Sequence, residues 1–189
     1  MDVYKIAVKI FASAPQGVEF DFVPIFHHWI QKQSVQGHRL IDVADYGHVA
    51  AGPGTVLVSS EANFYMDRGE NRLGLLYSRK LPLEGTFQDR LRAAIGEAVK
   101  AAATLEQEPE VAGKLKFNTD EIVIRLNDRL RAPPNDQTVA AAKGDVQAVA
   151  NWLYGDSAVV ESHFTPLTAV EFRIRSKEKP ALETLLKKV

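Results

Sequence analysis

Residues 40–80 read LIDVADYGHVAAGPGTVLVSSEANFYMDRGENRLGLLYSRK, and the punctuation of this stretch decides the fold. Residues 40–45 and 55–60 are short runs rich in β-branched and apolar residues, the composition of strands. Residues 63–67 and 72–79 form a hairpin around Arg68-Gly69-Glu70-Asn71. Between the first two runs lies the loop Ala51-Gly52-Pro53-Gly54, and around it the densest cluster of polar side chains in the chain.

Working outward, residues 3–11 place Tyr4, Ile6, Val8 and Ile10 on one side and Lys5 and Lys9 on the other. A period of two is the signature of a strand with one dry and one wet face, which points to an antiparallel sheet covered on one side. After the Pro15-Gln16-Gly17 turn, Phe22, Ile25, Phe26, Trp29 and Ile30 fall at helical spacing, with Asp21 as the expected N-cap and Pro24 in the first turn. Thr86, with Asp89 three residues on, predicts a capping box at the head of an alanine-rich helix reaching about Leu105. A polar connector over 106–113 leads to strand-like residues 115–117 and 121–126. Ala132-Pro133-Pro134-Asn135-Asp136 ends that run and caps a helix over 137–154, which Gly144-Asp145 divides into two and Gly155 closes. Residues 158–164 and 169–175 alternate around Thr165-Pro166-Leu167 as a last hairpin, followed by a weak helix over 180–188.

The expected fold is therefore α+β: a mainly antiparallel sheet with helices packed on one face. It is a single domain over residues 1–189, whose element order admits a division into two strand-helix-strand-strand units at 1–107 and 114–189. Duplicated units of this kind build a continuous sheet with a central cleft in bacterial effector-binding domains of the gyrase-inhibitor-like fold, a likeness of topology alone.

Composition narrows the function. With 189 residues and 46% hydrophobic content the chain can bury a substantial core. Lys and Arg number 23 against 24 Asp and Glu, so no overall field draws in nucleic acid or an anionic membrane. There is no cysteine, which excludes disulfides, thiolate metal sites and thiol nucleophiles. No apolar run approaches the roughly 18 residues of a membrane span. The N-terminus alternates instead of forming a signal-peptide core, so a cytoplasmic protein is expected.

Candidate chemistry concentrates in a few places. Asp42, Asp45 and His48 are ligand types for a divalent metal, but on a strand Asp42 and Asp45 face opposite ways, so local capping of backbone amides is the simpler role. The glycine-proline loop lacks the Gly-Lys-Ser/Thr ending and the following helix of a phosphate loop, and reads as a connecting turn. His27 and His28 are adjacent on a helix and so diverge. Glu61, Tyr65, Tyr77 and Arg79 could surround a polar ligand, or form a cross-strand pair with packing tyrosines. Asn127 and Arg129 stand in a polar turn before the prolines, where they tie the turn or form a rim contact. No hydrolase elbow, dinucleotide fingerprint or zinc motif is present. No cofactor or metal is expected.

Two segments, FVPIFHHWIQ leading into LIDVADYGHVAAGPGTVLVSSEANF, and IRLNDRLRAPPNDQT leading into NWLYG, resemble an uncharacterised family of bacterial proteins over most of the chain. The resemblance implies a soluble bacterial protein and no particular chemistry. Members of that family carry a histidine before the glutamate where this chain has Ser60, so a role built on a His-Glu pair has no support here. The expectation leans away from an enzyme and towards a module that binds a small molecule, a protein or a second copy of itself. The alternatives are a small-substrate hydrolase or isomerase using the loop carboxylates and His48, and a structural subunit of a larger complex.

Overall fold

Ile6, Val8 and Ile10 sit at the centre of one large sheet, and everything else is arranged by which side of them it lies on. The computed structural model describes residues 1–50, 52–165 and 167–189. Ala51 of the glycine-proline loop and Pro166 of the last turn lie outside the described residues. The strands are β1 (Ile6–Ser13), β2 (Leu40–Asp45), β3 (Thr55–Ser59), β4 (Ala62–Asp67), β5 (Gly74–Arg79), β6 (Lys116–Leu126), β7 (Val159–His163) and β8 (Val170–Arg175). They form one antiparallel sheet in the order β2-β3-β4-β5-β1-β6-β8-β7. The helices are α1 (Val23–Lys32), α2 (Phe87–Glu106), α3 (Asp136–Tyr154) and α4 (Leu182–Leu186). The fold is α+β, and among the described residues no helix is long and apolar enough to cross a membrane.

All four helices pack on one face. Alternate residues of each central strand join one continuous core with helix side chains: Val8, Tyr77, Ile124 and Phe172 from the sheet, Trp29 from α1, Ile95 from α2, Val149 from α3 and Leu185 from α4. The long helix α2 crosses β1, β5 and β6, and its small residues Ala94, Ala98 and Ala102 allow the close approach that lets Leu91 and Ile95 reach the sheet. Its N-terminus is held as expected. The Thr86 hydroxyl accepts from the Asp89 amide at 3.2 Å, and the Asp89 carboxylate accepts from the Thr86 amide at 2.9 Å.

Several local expectations are corrected. The two strand-like runs at 115–117 and 121–126 are one eleven-residue strand, because pairing with β1 continues past the polar Asn118-Thr119-Asp120 by a shift of register. Gly144 does not divide α3. It is a solvent-facing position in a helix held down by Val146, Val149, Ala150 and Leu153. At α1 the N-cap position is Phe22, and Asp21 instead accepts from the Val23 amide at 3.0 Å.

The largest departure concerns Lys9, which the alternation of β1 places on the wet face. It is on that face, yet fully buried. The β4–β5 connection folds back over it, and the ammonium donates to the Asp67 carboxylate and to the carbonyls of Gly69 and Arg72 at 3.0 and 3.1 Å. Gly74 makes the space: a Cβ there would lie 2.8 Å from Lys9 Cε and 2.7 Å from the Ile10 carbonyl oxygen.

Candidate functional site

Because all neighbouring strands are antiparallel, the sheet has two ends, and the candidate residues divide between them. At one end β1, β2 and β4 finish and β3 begins. Three separate segments meet there: residues 19–22 ahead of α1, residues 45–50 and 52–55 between β2 and β3, and residues 66–68 at the close of β4. They enclose a cleft of about 510 Å³. Its apolar lining includes Phe20, Phe22, Tyr46, Val49 and Met66, and its charged lining is Glu19, Asp21, Asp45 and Arg68.

Glycine backbone shapes the wall. Gly54 has φ of +70°, and a Cβ there would lie 2.0 Å from the Met66 carbonyl oxygen. Only glycine both adopts that conformation and lets β3 start flush against β4. The loop is closed by hydrogen bonds from the Tyr46 amide to the Gly54 carbonyl at 3.0 Å and from the Gly52 amide to the Val49 carbonyl at 2.9 Å.

The four charged groups are not equivalent. Asp45 accepts from the Gly47 amide at 2.9 Å and from the Thr55 hydroxyl at 3.4 Å, an Asx-type turn that fixes the loop. Asp21 is bonded to the amide at the start of α1. Glu19 and Arg68 are exposed and, among the described residues, have no hydrogen-bond or ion-pair partner. The cleft thus presents one unpaired carboxylate and one unpaired guanidinium beside the two carboxylates, Asp21 and Asp45, that the loop and the start of α1 have taken up.

Of the residues singled out from the sequence, Asp45 lines this cleft. Asp42 sits one face away, paired with Val58 on the helix-free side, and bonds its neighbouring amide. His48 is exposed in the same loop but outside the lining. Among the described residues no three of His, Asp and Glu are grouped to hold a metal ion.

Glu61, Tyr77 and Arg79 lie at the other end of the sheet. The Glu61 carboxylate accepts from the Arg39 amide at 2.8 Å, which holds its pKa below the ordinary glutamate value. Tyr77 is buried on the helix side, ring edge towards His38 and against Phe64, and burial raises its hydroxyl above the usual tyrosine value. Arg79 donates to the Leu81 carbonyl at 2.9 Å. Tyr65 points to the opposite face, where its hydroxyl accepts from Asn63 at 2.9 Å. Asn127 and Arg129 follow β6, also at this second end, with the Asn127 amide bonded to the Lys5 carbonyl at 2.7 Å. The set does not converge on one cavity.

Residues 19–22 and 66–68 gave no chemical signal in the sequence. What could have pointed to them is topology: once β1 to β5 are taken as antiparallel neighbours, the segment after β1 and the end of β4 share an end with the glycine-proline loop. No protein-family model, no curated protein and no solved structure matches this chain.

Proposed function

We propose that this protein is a cytoplasmic binding module that takes a small molecule in the loop-end cleft. The observation that carries the reading is a concavity of about 510 Å³ whose lining sets Phe20, Tyr46 and Val49 beside peptide groups and four charged side chains. That size falls within the range of small-ligand pockets, about 300 to 1,000 Å³. Its wall is braced by the close approach of Gly54 to Met66, the Asp45 hydrogen bond to Gly47 and the pairing of β3 with β4. The absence of cysteine fits the reducing compartment of the proposal.

The experiment is a ligand screen read by amide chemical shifts on the full chain. A bound compound is expected to move resonances of residues 19–22, 45–55 and 66–68, and the variant Ala50→Trp, which puts a large ring into the lining, is expected to abolish those shifts. Compounds whose shifts cluster at the other end of the sheet, or bind Ala50→Trp unchanged, would overturn the reading.

Self-association is a second reading, supported by the edge strands. Ile41 on β2 and Val159 on β7 are exposed large apolar residues on the two open edges of the sheet. It predicts a dimer by light scattering that Ile41→Lys or Val159→Lys dissolves. A hydrolase or isomerase reading has less support, because Asp42, His48 and Glu61 stand apart from the cleft.

A further inference from the structure

The proposal here rests on the cleft reading and names its ligand class. We infer that the cleft recognises a zwitterion, specifically a free α-amino acid with an apolar or aromatic side chain. The inference comes from separating the charges that the fold has already used from those it has not. Asp45 and Asp21 are committed to backbone amides that shape the loop and the start of α1. Glu19 and Arg68, from two different segments of the lining, are uncommitted among the described residues.

A ligand that used both would pair with one carboxylate and one guanidinium while resting against Phe20, Tyr46 and Val49. A phosphate or dicarboxylate would meet Arg68 but share the lining with the carboxylates of Glu19, Asp21 and Asp45, a net negative charge that one arginine does not offset. A simple amine would satisfy Glu19 and leave Arg68 beside its own positive charge. A metal ion lacks a grouped set of ligands. A molecule with an ammonium and a carboxylate on one carbon pairs with both groups, with the guanidinium giving two parallel hydrogen bonds to the carboxylate. Tyr46 and Val49 are among the exposed large hydrophobic residues of the chain, and Val18 just upstream of the lining is another. An apolar side chain on the ligand would cover them.

Titration calorimetry on the full chain tests this with three probes of one shape: L-phenylalanine, phenethylamine and 3-phenylpropionate. Phenylalanine is expected to bind at least about tenfold more tightly than either one-charge analogue, the loss that goes with one missing charge-assisted hydrogen bond. Arg68→Ala is expected to bring phenylalanine down to the level of phenethylamine, and Glu19→Gln to the level of 3-phenylpropionate. Both side chains are exposed and unpaired, so both variants keep the melting temperature of the parent. Equal affinity for phenylalanine and one analogue, or no binding of any standard amino acid at millimolar concentration, overturns the inference. If some other screened compound still seats in the cleft, only the ligand class is wrong. If none does, the cleft reading falls as well.

Discussion

Arg68 and Arg72 stand four residues apart in the connection between β4 and β5, and they spend their charge in opposite ways. Arg72 reaches over the helix-free face, gives two hydrogen bonds to Glu121 at 2.9 and 3.3 Å, and lays its guanidinium 3.5 Å above the Phe11 ring. Glu121 also accepts from Arg173 at 2.6 Å, and Arg173 grips both oxygens of Glu70 at 2.7 and 2.8 Å. Beneath this layer Lys9 and Asp67 form a buried pair. Every charge in the network has its counter-charge within the protein, and together they roof Phe11 and Val123. The cleft leaves Glu19 and Arg68 open. One region pairs its ions within the chain; the other leaves two of them unpaired among the described residues.

The comparison can be broken most forcefully at Lys9. Lys9→Met leaves Asp67 facing a half-buried site with no cation, and removing one member of a buried pair costs about 3–5 kcal/mol. Urea unfolding should register that loss, and the double variant Lys9→Met/Asp67→Leu should recover a large part of it. A single variant as stable as the parent would mean that the pair is not what fastens the β4–β5 connection.

Next in size is Gly54→Ala on the cleft wall. A left-handed backbone together with a Cβ placed 2.0 Å from the Met66 carbonyl oxygen should cost about 2 kcal/mol or more, with the damage confined to the β3–β4 end in hydrogen exchange. Uniform loss of protection over the sheet would contradict the local role given to this glycine.

Glu121 sharpens the picture through pH. Burial opposes its ionisation, but the guanidinium groups of Arg72 and Arg173 outweigh that and hold its pKa below the ordinary 4.5. A depressed carboxylate stabilises the fold fully above its unfolded-state value and loses that contribution as the pH falls through the folded value. The parent should therefore exceed Glu121→Gln by roughly 1–2 kcal/mol near neutrality, with the gap closing as the pH drops below about 4.5. A gap independent of acid would sever the network from the stability of the face.

The smallest effect is expected at Arg68. With no internal partner to lose, Arg68→Ala should change stability by less than about 0.5 kcal/mol, against a clear loss for Arg72→Ala in the same urea series. Equal losses would erase the distinction between the two regions.

Much of the frame was legible because it is written in short-range patterns. The capping box of Thr86 and Asp89 spans three residues, the alternation of Ile6, Val8 and Ile10 is local, and the hairpin turn at residues 68–71 is short, with Glu70 and Asn71 in the left-handed region. The buried stripe of α2 followed from spacing alone. The polar run Asn118-Thr119-Asp120 looked like a break, and only the partner strand β1 carries it through as sheet. Gly144 looked like a helix break for the same reason: propensity is weak beside the packing of four apolar side chains on the far side.

What the sequence by itself determined is the α+β class, the antiparallel pairing and the side of the sheet that is dry. These depend on periodicity, which each segment carries within its own residues. The tertiary structure decided which charges are spent. Lys9 meets Asp67 across 58 residues and Arg72 meets Glu121 across 49, while Glu19 and Arg68 reach one cleft without meeting each other. Composition counts all of these side chains alike. The free energy of an ion depends on whether water, a counter-charge or nothing lies against it, and only the folded chain sets that neighbourhood.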